Sequence, residues 1–309
     1  MKAKLSDVMM DIGPIIKIIS TLLVISIKGT SSFHALHTRA FYHKCEMTKV
    51  LDSEASENMI RTPQEAEGVI FDIDGTLANS WKLGYDASQV VLANNQIPAI
   101  TEELYHECTK YSTPDRLARH AGLLPEKDGN VFMEVGEVLA KEFDDLYVGL
   151  VSIETAGFYD GISDLILGLP HDSDTSHKRR VKVAALTNAC VAYAHAVLKT
   201  NCPLLEGNSE YRGQIGIYER FISIHGADTV PKPKPSPEGL FKCCQEIDIS
   251  PQRCVYVGDS PSDAVAAKAS GMLAIGVSWG SHTIESIESA PFDYLCHTVE
   301  ELKDLLPSI

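Results

Sequence analysis

The sequence predicts an α/β fold: a doubly wound, Rossmann-like parallel sheet with an inserted all-helical cap domain. Three observations predict it. Short apolar runs of strand length, rich in β-branched residues, recur between helical stretches. The runs are apolar nearly throughout, as strands covered on both faces are. About a hundred residues separate the first run from the second, far more than the ~10–15 of a simple crossover helix.

Residues 1–66 precede this pattern and read as a leader and linker. Residues 12–27 are apolar but broken by Pro14, Lys17 and Ser20, shorter and less pure than the ~20 residues of a spanning helix. The run looks like a signal-peptide core, followed by the small residues Thr30, Ser31 and Ser32. From Ile12 to Cys45 there is no acidic residue, while Lys28, Arg39 and Lys44 supply charge. The expectation is a plastid protein with a cleaved leader and no stable membrane span in the mature chain. The alternative is a cytoplasmic protein starting at Met47, because Asp7 and Asp11 are unusual in a signal. Residues 46–67 turn polar and acidic, as a linker does.

The first strand is expected at 68–73 (GVIFDI), the next at 181–187 (VKVAALT), and three more at 220–226 (RFISIHG), 254–258 (CVYVG) and 273–278 (LAIGVS). Right-handed crossovers between parallel strands give the doubly wound arrangement. Between the first two strands, residues 81–156 show apolar positions at helical spacing and no alternation, which makes them the cap. Residues 67–80 and 157–309 then form the catalytic core. Thr113 before Pro114 reads as an N-cap and first helical residue, opening a helix that carries Arg116 and Arg119. Residues 171–180 and 204–214 look like surface loop insertions.

A chain of 309 residues with 44% hydrophobic content can bury a full core. Its formal charge of -15 disfavours nucleic acid or an anionic membrane as partner, since both need a cationic footprint. The eight cysteines and eleven histidines show no Cys-x-x-Cys or His-Glu-x-x-His spacing, so no transition-metal site is expected.

The chemistry converges on the strand ends, where open α/β sheets bind ligands. The first strand runs into Asp72-Ile73-Asp74-Gly75-Thr76. Two carboxylates two residues apart allow one to attack phosphorus while the other protonates the leaving oxygen and later activates water. Taken alone, Asp-x-Asp-Gly is equally a surface turn or a calcium loop. The second strand ends in Thr187-Asn188, a hydroxyl and an amide suited to phosphate oxygens, or simply a helix cap. After the third strand comes VPKPKPSPEGL, either a polyproline linker or a lysine held at the phosphate with Ser236-Pro237 capping the next helix. The fourth strand ends Gly258-Asp259-Ser260-Pro261-Ser262-Asp263, where Asp259 beside Asp72 would make an oxygen-ligand site for magnesium. Asp263 is also at capping-box spacing from Ser260.

Together these motifs resemble the haloacid dehalogenase-like hydrolase superfamily from about Gly68 onward. The resemblance implies that Asp72 forms an aspartyl-phosphate, Asp74 acts as general acid/base, Thr187 and Asn188 hold the phosphoryl group and Lys234 neutralises it. It implies Mg2+ held by Asp72, the Asp74 carbonyl, Asp259 and Asp263. Lys234 fits the superfamily's Lys-Pro-x-Pro pattern better than Lys232, which stays open. The chain is most similar to the phosphoglycolate phosphatase-type group with a helical cap, although Asn79-Ser80 stands where that group has Asp-Ser. The implied substrate is a small-molecule phosphate ester, with 2-phosphoglycolate a candidate. In the cap, the loop from Lys110 to Arg116 is the candidate to meet it, a cation at a helix start suiting a carboxylate; the alternative is that Arg116 and Arg119 only solvate an exposed helix face.

Three other readings compete. Dehalogenase relatives lack the second aspartate, here Asp74. A sugar-phosphate phosphomutase has the same motifs but carries a histidine in its first cap helix, where this chain has Gly84. A non-catalytic phosphate-binding scaffold would have lost one of Asp72, Asp74, Lys234 or Asp259.

Overall fold

A computed structural model describes residues 60, 62–171, 180–202 and 216–307. The leader, most of the 171–180 insertion and all of the 204–214 insertion therefore lie outside the described residues. Six parallel strands form one sheet in the order β3-β2-β1-β4-β5-β6. They are β1 (Gly68–Phe71), β2 (Lys182–Leu186), β3 (Phe221–His225), β4 (Cys254–Gly258), β5 (Leu273–Val277) and β6 (Tyr294–Cys296). The first five fall where the apolar runs stand. The sixth was not foreseen, because three residues are too short a run to register, and β6 exists through its pairing with β5.

The strands sort their side chains by the period of two. Val69, Phe71, Val183, Ala185, Val255, Val257, Ile275 and Val277 enter one apolar layer. Ile70, Ala184, Leu186, Cys254, Tyr256 and Ala274 enter the layer on the opposite face. Both faces are covered, so β1 and β4 are buried along their whole length. Val69 pairs with Val183 on one side and Val255 on the other, and Phe71 with Ala185 and Val257, so the three central strands end level.

Between β1 and β2 the described residues form the helices α1 (Trp81–Asn94), α2 (Glu102–Cys108), α3 (Thr113–His120), α4 (Pro125–Asp128), α5 (Asn130–Gly149), α6 (Ile153–Ala156) and α7 (Ile162–Gly168). The chain leaves and re-enters the sheet at one place, where Asn79 N–H donates to Gly157 O at 2.9 Å and Tyr159 N–H to Leu77 O at 3.0 Å. In α5, Phe132, Val135, Gly136, Leu139, Ala140, Phe143 and Tyr147 are buried at three- and four-residue spacing, one helical face. The N-cap of α3 is Ser112, one residue earlier than expected, with Thr113 and Pro114 inside the helix. After β2 come α8 (Val191–Thr200), α9 (Ile217–Arg220), α10 (Glu238–Ile247), α11 (Pro261–Ser270), α12 (Ile284–Glu288) and α13 (Val299–Leu305). Among the described residues no helix is long and apolar enough to cross a membrane.

The expected linker ends sooner than residue 66. Ile60, Pro63 and Ala66 are buried, Ile60 N–H donates to Gln252 O at 3.1 Å, and Glu67 pairs with Arg253. A polar, acidic stretch hid one apolar anchor, whose burial stabilises by about 1.5–3 kcal/mol. Chains starting at residue 60 and at residue 67 should therefore differ. Denaturant titration is expected to show the shorter one destabilised by about 2–4 kcal/mol, and equal midpoints would show that this segment adds nothing.

Candidate active site

The level ends of β1, β2 and β4 bring Asp72, Thr187 and Asp259 to one rim. Asp72 N–H donates to Val257 O at 2.9 Å and Thr187 N–H to His225 O at 3.1 Å, so both residues still hold the ladder as the chain leaves it. Gly75, at φ +75°, turns the chain away. A side-chain carbon there would overlap the Asp259 carboxylate, as one at Gly258 would overlap Asp263. These glycines let the carboxylates approach backbone.

Lys234 is buried, with Nζ 2.8 Å from Asp72 Oδ1 and 2.7 Å from Asp263 Oδ1, and it donates to Tyr256 Oη at 2.9 Å. Lys232 is exposed and faces Glu238 at 3.9 Å. Of the two lysines, Lys234 is the one that sits among the carboxylates. Asp263 holds two positions at once: its Oδ2 accepts from Ser260 N–H at 2.9 Å, completing the capping box of α11, while its Oδ1 meets Lys234. The capping-box reading of Asp263 is thus realised, and the same carboxylate also reaches the carboxylate cluster.

Asp72, Asp259 and Asp263 are buried with one oxygen of each within 4.8 Å of the others. Three carboxylates face one ammonium, an excess of negative charge that a desolvated site tolerates poorly. Burial pushes Asp72 well above the ordinary carboxylate range, Lys234 offsets part of this, and Asp263 and Asp259 add to it. Burial first, then Asp263, raises Asp259 to about 7. The Lys234 contact leaves Asp72 Oδ1 without a well-formed hydrogen bond. A buried cluster of hard oxygen donors with surplus negative charge fits a divalent cation.

The Asp74 side chain stands apart from that cluster, so any ligation by Asp74 is left to its main-chain carbonyl. Its Oδ1 accepts from Ser80 Oγ at 2.5 Å, Tyr193 Oη at 2.6 Å and Tyr147 Oη at 3.1 Å, and its Oδ2 from Thr187 Oγ1 at 3.1 Å. Burial, then the Asp74 charge, pushes both tyrosines well above the usual phenol range, so they act as donors.

Asn188 lines the cleft, and its side chain also holds the lysine loop. Its Nδ2 donates to Lys234 O at 3.0 Å and its Oδ1 accepts from Lys234 N–H at 2.9 Å. The amide fixes the lysine loop, a pairing between residues far apart in sequence. The expected Ser236 cap is displaced: Pro237 is the N-cap of α10, and Ser236 Oγ accepts from Glu238 N–H at 3.5 Å.

Over this rim the helical insertion closes a small cleft lined by Asp72, Asp74, Lys234, Asp259, Tyr147 and Arg116 among others. The Arg116 guanidinium lies 4.8 Å from the Phe143 ring centre and 5.5 Å from that of Tyr105. Its Nε is buried without a hydrogen-bond partner. Arg119 instead pairs with Asp115 at 2.6 Å and covers Tyr111 at 3.9 Å. Lys110 is exposed beside the Tyr111 ring and is not among the residues that line the cleft.

Sequence reading missed the loop after β5. Ser281 N–H donates to Asp259 Oδ2 at 2.9 Å, His282 lines the cleft and Trp279 Nε1 donates to Thr76 O at 3.1 Å. The available signal was positional, since this loop also leaves the carboxyl end of a strand. Tyr147, Tyr193 and Tyr256 carried no local signal, being buried aromatics at ordinary helix and strand positions.

Residues 66–271 match the family described as haloacid dehalogenase-like hydrolase. The phosphoglycolate phosphatase of Escherichia coli O157:H7 is 26% identical over 260 residues, covering 80% of this chain and 93% of that protein. The phosphoglycolate phosphatase of Salmonella typhi is 27% identical with the same coverage. Among solved structures, CbbY from Rhodobacter sphaeroides in complex with phosphate aligns with a TM-score of 0.58 and 24% identity, over 77% of this chain and 96% of that one. β-Phosphoglucomutase from Clostridium difficile aligns at 0.55 and 18%, over 77% and 96%. Phosphate-bound and mutase relatives thus share the fold, which leaves the reaction to the site.

The raised Asp259 gives a pH signature. Its folded value near 7 lies above the ordinary 3.8 of the unfolded chain. In metal-free protein the ionised form is therefore penalised: the penalty is absent below the unfolded value, grows between the two and is complete above about 7. Asp144, raised by burial to about 6, acts in the same direction. The melting temperature in chelator is expected to fall as pH rises from about 5 to 8, with a divalent cation restoring it at the upper end. A flat profile together with no response to cation would show that the three carboxylates do not form a cation site.

Proposed function

The chain belongs to the haloacid dehalogenase-like hydrolase family, and on that premise we propose that it is a magnesium-dependent phosphatase acting on a small phosphorylated acid through an aspartyl-phosphate. The observation that carries this reading is the buried set of Asp72, Lys234, Asp259 and Asp263 beside the separately held Asp74.

An Asp72 carboxylate oxygen attacks phosphorus as the bond from phosphorus to the leaving oxygen breaks, and the Asp74 carboxyl gives that oxygen a proton. Water then attacks the phosphoryl group on Asp72, Asp74 takes its proton, and phosphate leaves with Asp72 regenerated. Lys234 opposes the negative charge that gathers on the phosphoryl oxygens. Asp72, Asp259, Asp263 and the Asp74 carbonyl would hold the magnesium ion, which when bound supplies charge neutralisation at the phosphoryl group. Asn188 and Tyr256 keep the lysine in place.

Two observations favour hydrolysis over phosphoryl transfer between sugar positions. A side chain at Gly84 would overlap the Tyr105 hydroxyl, so the helix position where mutases carry histidine has no room here. The curated relatives named above are phosphoglycolate phosphatases. Arg116 lines the cleft, and its Nε has no hydrogen-bond partner among the described residues, so it suits a leaving group that carries its own carboxylate, as 2-phosphoglycolate does.

Asp72→Asn is expected to abolish turnover with the fold intact, because it keeps the volume and removes the nucleophile. Near wild-type activity in that variant would exclude the aspartyl-phosphate route. Asp74→Asn should slow turnover severely and trap phosphoenzyme, visible as a shift in intact mass. Arg116→Ala should erode the preference for 2-phosphoglycolate over a neutral sugar phosphate by about 1–3 kcal/mol while p-nitrophenyl phosphate turnover changes little. Equal losses on all esters would give Arg116 a packing role instead.

A further inference from the structure

Four hydroxyls meet the Asp74 carboxylate, and they do not come from one part of the molecule. Thr187 follows β2, Tyr193 lies in the first turn of α8, Ser80 is at the exit from the sheet, and Tyr147 comes from α5 in the helical insertion. The rings of Tyr147 and Tyr193 stack at 4.0 Å between centres and 16° between planes. Tyr147 is held from its other side by Phe143, one turn earlier in α5, at 4.7 Å. Both tyrosines are buried, so rotamer freedom is small and their hydroxyls are aimed.

We propose that Tyr147 and Tyr193 are positioning residues that hold Asp74 Oδ1 as a fixed pivot and thereby assign proton exchange with the leaving group to Oδ2. Among the described residues Oδ1 receives three donors, more than its two lone pairs serve well, whereas Oδ2 receives only Thr187. Oδ2 therefore keeps the acceptor and donor capacity that proton transfer needs. Because Tyr147 arrives with the insertion, the hold on Asp74 is complete only while the insertion is seated on the core. This rests on the reading of Asp74 as acid/base.

The proton balance defines the test. As the Asp72 oxygen bonds to phosphorus, Oδ2 hands its proton to the departing alkoxide. A nitrophenolate leaves without that help, so a misplaced Oδ2 slows alkyl esters selectively. The value of kcat/KM covers only steps through the first irreversible one, so it reports phosphorylation of Asp72 and not the later water step. A side chain that merely packs would slow both esters alike.

The experiment compares the full chain with Tyr147→Phe, Tyr193→Phe and the double variant in magnesium, using 2-phosphoglycolate and p-nitrophenyl phosphate. Each single variant is expected to lose about tenfold in kcat/KM on the alkyl ester, with KM little changed, and several-fold less on the aryl ester. The double variant should lose less than the product of the two single losses, because both hydroxyls serve one oxygen. Equal losses on the two esters, or no loss on either, would overturn the positioning role while leaving the phosphatase reading intact. A wild-type chain that hydrolyses neither ester would instead remove the phosphatase reading, and this inference with it.

Discussion

The buried ammonium of Lys234 between Asp72 and Asp263 is the interaction on which the rest of this site depends. Removing one partner of a buried ion pair costs about 3–5 kcal/mol, because the other charge is left in a medium that solvates it poorly. The surroundings accordingly hold every member in place. Asn188 grips the lysine main chain with both ends of its amide, Tyr256 accepts from Nζ, and Asp263 is tied into the first turn of α11. The buried charge is thus built on rigid elements, which is what the proposed stabilisation of a transferring phosphoryl group would require.

The sheet makes this arrangement possible. With β1 at the centre of the order and paired to both β2 and β4, the residues that follow three strands far apart in sequence end at one level. Position at the carboxyl edge is then automatic for Asp72, Thr187 and Asp259. The close approach of their side chains needs one more condition, the missing β-carbons of Gly75 and Gly258, where the carboxylates of Asp259 and Asp263 lie against backbone.

Two carboxylates two residues apart end in opposite environments. Asp72 lies among other carboxylates and an ammonium. Asp74 lies among hydroxyls, which stabilise its orientation and add no charge. Different surroundings for paired carboxylates are how one site supplies both a nucleophile and a proton donor. The insertion takes part on both sides, through Tyr147 at Asp74 and Arg116 at the far wall of the cleft. In the proposed reaction, chemistry and leaving-group recognition would meet under the same helices.

What the sequence determined by itself is what neighbouring residues decide: five strands from their apolar runs, the helical character of residues 81–156, the capping box at Ser260 and Asp263, and the motif aspartates at strand ends. Short-range sterics and hydrogen bonding set these features, so a window of a few residues contains them. Only the tertiary structure decided which of Lys232 and Lys234 is buried, that Asn188 holds the lysine loop, and that Arg116 faces the cleft while Lys110 faces water. It alone added β6, the anchor at Ile60 and the tyrosines at Asp74. Each of these depends on groups brought together from distant segments, Tyr147 lying 73 residues and Tyr193 119 residues from Asp74. Burial and partner choice are properties of the packed whole, and no local pattern encodes them.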